Sequence, residues 1–562
     1  MKHIGPISGV AAHRADFIAT AGYDNQVILW NARTGDSIHR VSHDHLANQC
    51  AFSADGKYLV SASSDYTARV WEVPSLHLKA VLSGHTDDVE MAVFSPDGTL
   101  VATCSRDHKL RLFDLEGNLR GVCQGHDADV ISVVWSPDGK RLISSSDDGT
   151  VRQWDSKTLE QCAEIDIGGV ETDTVAITRS GVIFAGDDEG RVSIIVQGEV
   201  RSIPAHEAGV KRIVWNDDKQ LLVTLSYDRS AILWSFDGQQ LTQLRSTSLP
   251  GIVWPRSCAF VGSDVLVFAT FGSRYATWDY ESDRWIVDGI QPAVSINAVI
   301  TSQGQQYSIG DAGVLFRDDL PVKGMGSLCN FLLPFGPLLL TGGQLGQVFD
   351  ALTGKLLYQH RSPLNCATAF KRNGRLHALV GTYTGEGLVF AMDSSGGLEL
   401  ISSIQMHDNA IKGVAADDHH LFSVCASAAA AMHNIDDFSC ARHIDRAHTR
   451  ISNGCCRVEG GFASIGRDLK LRLWLDTGDE VYDTPHINSI KCICGSSDGA
   501  VIATASYGGT IALFDLPNRR WIQVNRPTAS GISCITHCET SDDFLASSYD
   551  GQIYDITSRR AS

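Results

Sequence analysis

Residues 87–113 read DDVEMAVFSPDGTLVATCSRDHKLRLF, and three short strands with two turns can be laid directly on them. Val89 to Phe94 alternates in polarity, the two-residue period of a strand. Ser95-Pro96-Asp97-Gly98 makes a turn, because proline presets φ and glycine accepts the positive φ that follows. Leu100 to Cys104 is the next strand, Arg106-Asp107-His108 turns again, and Lys109 to Phe113 closes the third. Helical periodicity is absent here and throughout the chain. The fold class expected is all-β.

The pattern recurs outward from this stretch. An aromatic or apolar anchor ends the third strand at Trp30, Trp71, Phe113, Trp154, Ile194, Trp234 and Trp278. It continues, less regularly, through Phe316, Phe349, Phe390, His433, Trp474, Phe514 and Tyr554. Most intervals are 39 to 44 residues, with two shorter ones around Phe316 and Phe349. Fourteen units of about forty residues fill the 562-residue chain, the period of four-stranded propeller blades.

A polar constellation travels with the anchors. His43, Ser63, Asp65 and Trp71 return as His85, Ser105, Asp107 and Phe113, then as His126, Ser146, Asp148 and Trp154, and again as His206, Ser226, Asp228 and Trp234. His and Asp are 22 residues apart each time, Asp and the aromatic six. With Gly84-His85, Gly125-His126, Phe94-Ser95-Pro96-Asp97-Gly98 and Trp154-Asp155, these positions resemble the WD-repeat family, closely over residues 1–280 and more weakly beyond. The wording of the turns resembles its bacterial members. The resemblance implies that the four residues form a buried structural relay, from indole N–H through hydroxyl and imidazole to carboxylate. A hydrolase reading of Ser, His and Asp competes with it. Four copies at one spacing are what a fold needs, whereas an active site needs one.

Fourteen blades exceed the usual four to eight of one ring. The expected architecture is therefore two tandem seven-bladed WD-repeat β-propellers, residues 1–288 and a degenerate 293–562, with Gly289 to Pro292 as the joint. In the second ring Gly508 stands where a turn aspartate belongs, and Val424 to Met432 replaces a polar hairpin with small apolar residues. Only Trp474, with Asp468, keeps the tryptophan anchor there. His3 already occupies the relay position of the first unit, and only Thr557 to Ser562 follows the last strand. The last blade is thus one strand short, or the rings share strands.

Composition narrows the function. Apolar residues are 43% of the chain, and the formal net charge of −18 counts against nucleic-acid binding, which needs clustered Lys and Arg. The N-terminus has no apolar h-region, and the apolar run Phe331 to Leu340 is interrupted and too short to span a bilayer. A cytoplasmic protein without membrane insertion is expected. Fifteen cysteines are scattered rather than framed. Cys534 and Cys538 would lie roughly 13 Å apart on one strand, and Cys492 and Cys494 lack a second ligand pair, so no metal site is expected. No G-x-G-x-x-G, P-loop, H-E-x-x-H or nucleophile elbow is present, so no cofactor and no catalytic residue is expected.

The reading is a non-catalytic scaffold or sensor that binds partner proteins or peptides through a propeller rim. A propeller enzyme or cofactor binder, and a nucleic-acid or membrane adaptor, are the alternatives. The residue before each turn aspartate should sit on the rim around the channel: Tyr23, Arg106, Tyr227 and Arg467, with Ser64, Asp147, Tyr507 and Tyr549 in matching places. Glu90 and Lys211, just past Val89 and Val210, should point at the same rim. Tyr and Arg are the side chains enriched at interface hot spots. Such rim side chains are expected to be exposed and to add little to the blade cores.

Overall fold

The computed structural model describes residues 1–557, apart from 263, 394, 395, 539, 540 and 542. Every regular element among them is a β-strand. The strands pair into thirteen four-stranded antiparallel sheets and one of three strands, each a meander in chain order. The chain divides into two compact units, Met1–Ala293 and Val294–Ser562, with seven sheets in each.

In the first unit the first strands of successive sheets are Ile7–His13, Ala47–Phe52, Val89–Phe94, Val130–Trp135, Thr172–Ile177, Val210–Asn216 and Val253–Val261. Each lies beside the next, and the seventh lies beside the first. The Val10 N–H donates to Ser257 Oγ at 3.1 Å across that closing contact. The second unit repeats the arrangement with Ile296–Ser302, Cys329–Phe335, Leu364–Arg372, Ile411–Ala416, Ser452–Val458, Ile490–Gly495 and Ile532–Cys538. There Ser533 Oγ donates to the Ile296 carbonyl and closes the circuit.

Burial grades outward within a sheet. The first three strands are covered on both faces by neighbouring sheets, so they read as nearly continuous apolar runs. Val60, Ala62, Val70, Val89, Ala92 and Phe113 pack as one cluster between the second and third sheets. The fourth strand is the outer edge and carries polar residues instead, as in Glu199–Pro204, which is exposed along most of its length. Charged edges of this kind oppose pairing with other chains.

One device recurs in every sheet and positions everything that follows. The pairing of first and second strands breaks register after the first residue, so one residue bulges from the ladder: Ser8, Asn48, Glu90, Ile131, Asp173 and Lys211. In the second unit the bulged residues are Asn297, Asn330, Asn365, Lys412, Asn453, Lys491 and Ser533. A bulge re-aims its side chain out of the pleat. In the seventh sheet of the first unit it widens to the segment between Val253 and Cys258. Where the bulged residue is asparagine its amide latches the next sheet, as Asn330 Nδ2 does to the Leu364 carbonyl at 2.8 Å and Asn453 Nδ2 to Ile490 at 2.7 Å.

The segment Gly289 to Pro292 is hydrogen-bonded to the first unit: Ser273 N–H donates to the Gln291 carbonyl, and the following Ala293 N–H donates to that of Phe271, both at 2.8 Å. Four anchors differ from the sequence reading: judged by the register in which Trp71 faces Leu59, Ile556 rather than Tyr554, Ile195 rather than Ile194 and Ala351 rather than Phe349 take the anchor place, and Phe316 faces Ser308. The last sheet has three strands among the described residues. The tail Thr557 to Ser562 lies outside them beyond its first residue.

Candidate functional site

The buried relay forms, with a different hydroxyl from the one expected. Trp71 Nε1–H donates to Ser61 Oγ at 2.8 Å, Ser61 lies 2.7 Å from His43 Nε2, and His43 Nδ1 lies 2.9 Å from Asp65. With Nδ1–H given to the carboxylate, Nε2 accepts the serine proton and the chain of donors runs one way. The same order links Trp154, Ser144, His126 and Asp148, and Trp234, Thr224, His206 and Asp228. It also links Trp30, Thr20, His3 and Asp24. Phe113 has no donor, so the relay at His85 begins at Thr103 and runs on to Asp107, with Arg111 also beside His85 Nδ1.

Ser63, Ser105, Ser146 and Ser226 therefore stand outside the relay. Each instead accepts the backbone N–H of the turn aspartate two residues on, at 3.0–3.1 Å. The reason is reach. Trp71 faces Leu59 across the ladder, and its diagonal neighbour on that face is Ser61; Ser63 lies roughly 7 Å further along the strand.

Ser61, His43 and Asp65 have the distances of a hydrolytic triad, yet Ser61 is wholly buried and already accepts the indole proton. Repetition in sheet after sheet marks a structural role. Burial holds His43 and His85 below their ordinary value. Burial also opposes ionisation of Asp228, but the His206 contact outweighs it and lowers that carboxyl to about 2.

Among the described residues the second unit keeps one complete relay, Trp474, Ser464, His448 and Asp468. His407 and His486 still reach a hydroxyl, Ser423 and Thr504, at 2.8 and 2.9 Å. Their Nδ1 atoms are buried with no partner among the described residues, since Ser427 and Gly508 stand where a carboxylate would. Burial pulls both imidazoles down to about 4.

The surface with chemical variety is the mouth where bulges and turns of the first unit meet. Arg106 donates through Nε to Glu90 at 2.5 Å and through a terminal nitrogen to Asp129 at 2.7 Å. Arg256 holds the other Glu90 oxygen at 3.3 Å. Lys211 bridges Asp173 and Asp188 and lies 4.9 Å from the centre of the Tyr227 ring. Trp254 stacks on Phe271 at 5.1 Å, meets Tyr23 edge-on at 5.2 Å, and sits under the Arg256 guanidinium at 5.4 Å.

Carboxylates outnumber cations there. Glu90, Asp129, Asp147, Glu171, Asp173 and Asp188 share the region with Arg106, Lys211 and Arg256. Burial, then repulsion from Asp188, pushes Glu171 up to about 8. Burial likewise raises Asp188 to about 7, with Lys211 opposing. Burial opposes the Lys211 charge, but Asp173 and Asp188 outweigh it and hold the ammonium well above its ordinary range. A cationic group brought to this mouth would meet acids that gain by ionising.

Of the residues singled out from sequence, Tyr23, Glu90, Arg106, Lys211 and Tyr227 meet in this mouth. Arg467 is in the second unit. They are not bare surface: Glu90 is buried, and the Arg106 and Lys211 side chains are 21% and 15% exposed. Sequence reading missed Asp173, Asp188, Trp254 and Arg256. The positional rule that found Lys211 yields Asp173 and Trp254 when applied to the fifth and seventh sheets, and the turn rule yields Asp188. Arg256 had no such signal, because the wide bulge that presents it occurs once in the first unit. No group of His, Cys, Asp or Glu among the described residues could hold a metal ion, and no helix is long and apolar enough to cross a membrane.

Comparison with known proteins adds a family. Residues 35–72, 76–114, 117–155, 197–235 and 480–515 match the model "WD domain, G-beta repeat". A stretch of 106 residues is 33% identical to WD repeat-containing protein 37 of Mus musculus, covering 18% of this chain and 21% of that protein. The serine-threonine kinase receptor-associated protein of Gallus gallus is 28% identical over 116 residues, 20% of this chain and 33% of the relative. The target of rapamycin complex subunit wat1 of Schizosaccharomyces pombe is 25% identical over 236 residues, 39% of this chain and 74% of the relative. The chain spans about a fifth to a quarter of the length of the WD repeat-containing protein 37 relatives it matches.

Proposed function

The chain belongs to the WD-repeat family, and from that premise we propose that it is a non-catalytic scaffold of two seven-bladed propellers, residues 1–288 and 293–562, that binds partner proteins or peptides at the channel mouth of the first. The observation that carries the reading is the meeting of Tyr23, Trp254 and Tyr227 with the clamped cations Arg106, Lys211 and Arg256. Tyr, Trp and Arg dominate binding energy at interfaces, and here ion pairs fix them in place before a partner arrives. Preorganisation of that kind lowers the entropic cost of association.

Relatives named for a kinase receptor and for a target of rapamycin complex support protein partners. No disulfide joins cysteines among the described residues, which supports the cytoplasm, where thiols stay reduced. Nucleic acid is a poor partner for this mouth, whose carboxylates outnumber its cations.

The test is affinity purification with mass spectrometry, wild type against a Tyr23→Ala, Arg106→Lys, Tyr227→Ala variant. Lysine keeps the charge beside Glu90 while losing the guanidinium fork. The variant should retain a native circular dichroism spectrum and lose the principal partner. Retention of that partner at wild-type yield contradicts the proposal, and strong elution on heparin would favour the nucleic-acid alternative.

A further inference from the structure

One residue of each sheet in the first unit follows directly after the bulge: Gly9, Gln49, Met91, Ser132, Thr174 and Arg212, with Ser257 in the corresponding place of the seventh sheet. Contacts among these residues run across the circuit of sheets. Gln49 Nε2 donates to Ser257 Oγ at 3.2 Å, over the first sheet, where a Cβ on Gly9 would stand 2.5 Å from Gln49 Oε1. Arg212 of the sixth sheet directs Nη1 at Met91 Sδ of the third, 3.8 Å away. Two sheets separate them on one side and three on the other. The guanidinium therefore crosses the middle of the channel.

This ring is rich in donors and poor in acceptors. Its three hydroxyls each accept a backbone N–H from the next sheet: Thr174 Oγ1 from Ile213 at 2.9 Å, Ser257 Oγ from Val10 at 3.1 Å, and Ser132 Oγ from Val175 at 3.5 Å. A hydroxyl that accepts still has its proton to give. Ser132 gives it to the Met91 sulfur at 3.6 Å, a weak acceptor that Arg212 also approaches, and Ser257 meets oxygen only at 3.5 Å. Arg212 is the extreme case. Its Nε is buried with no hydrogen-bond partner among the described residues. Burial pulls its guanidinium below the ordinary range, and Arg256 adds to that; the groups that oppose it are the thiols of Cys258, Cys50 and Cys104, not a carboxylate. Glu90 and Asp173, one residue before Met91 and Thr174, are engaged by Arg106 and Arg256 and by Lys211. A charge taken out of water without a partner is costly.

We infer that the channel of the first unit is a binding site for a small tetrahedral oxyanion of the phosphate class, with Arg212 as its counter-ion and the hydroxyls of Ser132, Thr174 and Ser257 as further donors. The guanidinium fork matches two oxygens of such an ion at once. The donors come from the fourth to the seventh sheets, around half of the circuit, which suits tetrahedrally arranged oxygens better than a flat carboxylate. The three hydroxyl residues are buried, so the site fits a free ion rather than a phosphorylated chain. An ion held there ties together sheets that do not touch. The inference needs the closed circuit of seven sheets and is independent of partner binding at the mouth.

The probe is inorganic phosphate, titrated by calorimetry into the full chain in Tris chloride, with the thermal midpoint followed in parallel. Phosphate should bind saturably and raise the midpoint, as a ligand of the folded state does. Acetate should bind at least about tenfold more weakly. Arg212→Met should weaken phosphate by about tenfold or more and lose the midpoint shift. In phosphate-free buffer its midpoint should equal or exceed that of wild type, because an apolar side chain replaces an unpaired charge beside Met91. That comparison separates loss of the ligand from loss of the fold. Ser132→Ala, which removes one weak contact, should fold as wild type and bind phosphate several-fold more weakly. Absence of saturable phosphate binding overturns the inference, as does acetate binding as tightly as phosphate. Wild-type phosphate binding by Arg212→Met overturns it too, and so does a marked fall in that variant's phosphate-free midpoint, which would show the guanidinium to be satisfied within the chain.

Discussion

His126 Nδ1 lies 2.7 Å from Asp148 Oδ2, and the Asp127 backbone N–H reaches the same oxygen at 3.1 Å. One carboxylate thereby joins the imidazole, the chain entering the sheet and the turn that leaves the second strand. Asp148→Ala removes all of these acceptors. A buried donor left unpaired costs about 1–3 kcal/mol, so the variant should unfold at lower denaturant with an unchanged slope. An unaltered midpoint would show that the relay contributes nothing there.

The second unit offers the converse experiment. His486 Nδ1 lacks a partner, and Gly508 stands where the aspartate would be. A side chain at Gly508 first meets the amide of Asn488, the far end of a flexible residue that can swing aside. Gly508→Asp should stabilise the second unit by about 1 kcal/mol, the net worth of a typical hydrogen bond. A fall in its thermal midpoint would mean that the imidazole cannot take up the new acceptor.

The same histidine sets a pH dependence. Its folded value is about 4, below the ordinary 6.5 because of burial, so the unfolded chain binds the proton more readily. Stability is full above pH 6.5 and drains as pH falls towards 4, by roughly 1.4 kcal/mol per pH unit. His407 behaves alike. In His486→Gln the loss of stability between pH 6.5 and 4 should be visibly shallower than in wild type. Parallel pH profiles would contradict the assignment.

Arg106 is held between Glu90 and Asp129, and Glu90 is buried. Arg106→Ala should therefore destabilise the first unit by about 2–3 kcal/mol. That is below the ~3–5 typical of breaking a fully buried pair, because Arg256 keeps one contact to Glu90. Arg106→Lys should cost less than half as much. Equal costs in denaturant melts would show that packing, not charge, is what the guanidinium supplies.

Much of this was legible in the sequence. The period, the strand-turn alternation and the His–Asp spacing are local patterns imposed by strand geometry, and the chain states them openly. The hydroxyl of the relay was misplaced by two residues because Ser61 and Ser63 share a strand face, and only the cross-strand register says which the indole reaches. The bulges were illegible for the same reason: a bulge is a property of a pair of strands. Lys211 could be placed from one strand alone, whereas its clamp by Asp173 and Asp188 depends on a neighbouring sheet, 38 and 23 residues away. Asp148 and Gly508 could be contrasted by alignment of repeats, but the unpaired Nδ1 of His486 required the folded chain.

The central claim is that partners meet the first unit at its channel mouth, and site-specific photocrosslinking tests it most directly. The full chain would carry Tyr23→p-benzoylphenylalanine or, on the outer edge strand, Leu119→p-benzoylphenylalanine, where the native leucine is 50% exposed. After irradiation in lysate, the account predicts a discrete crosslinked partner from position 23 that position 119 does not give. Crosslinking from position 119 alone would place the docking surface on the sheet edges and contradict the account.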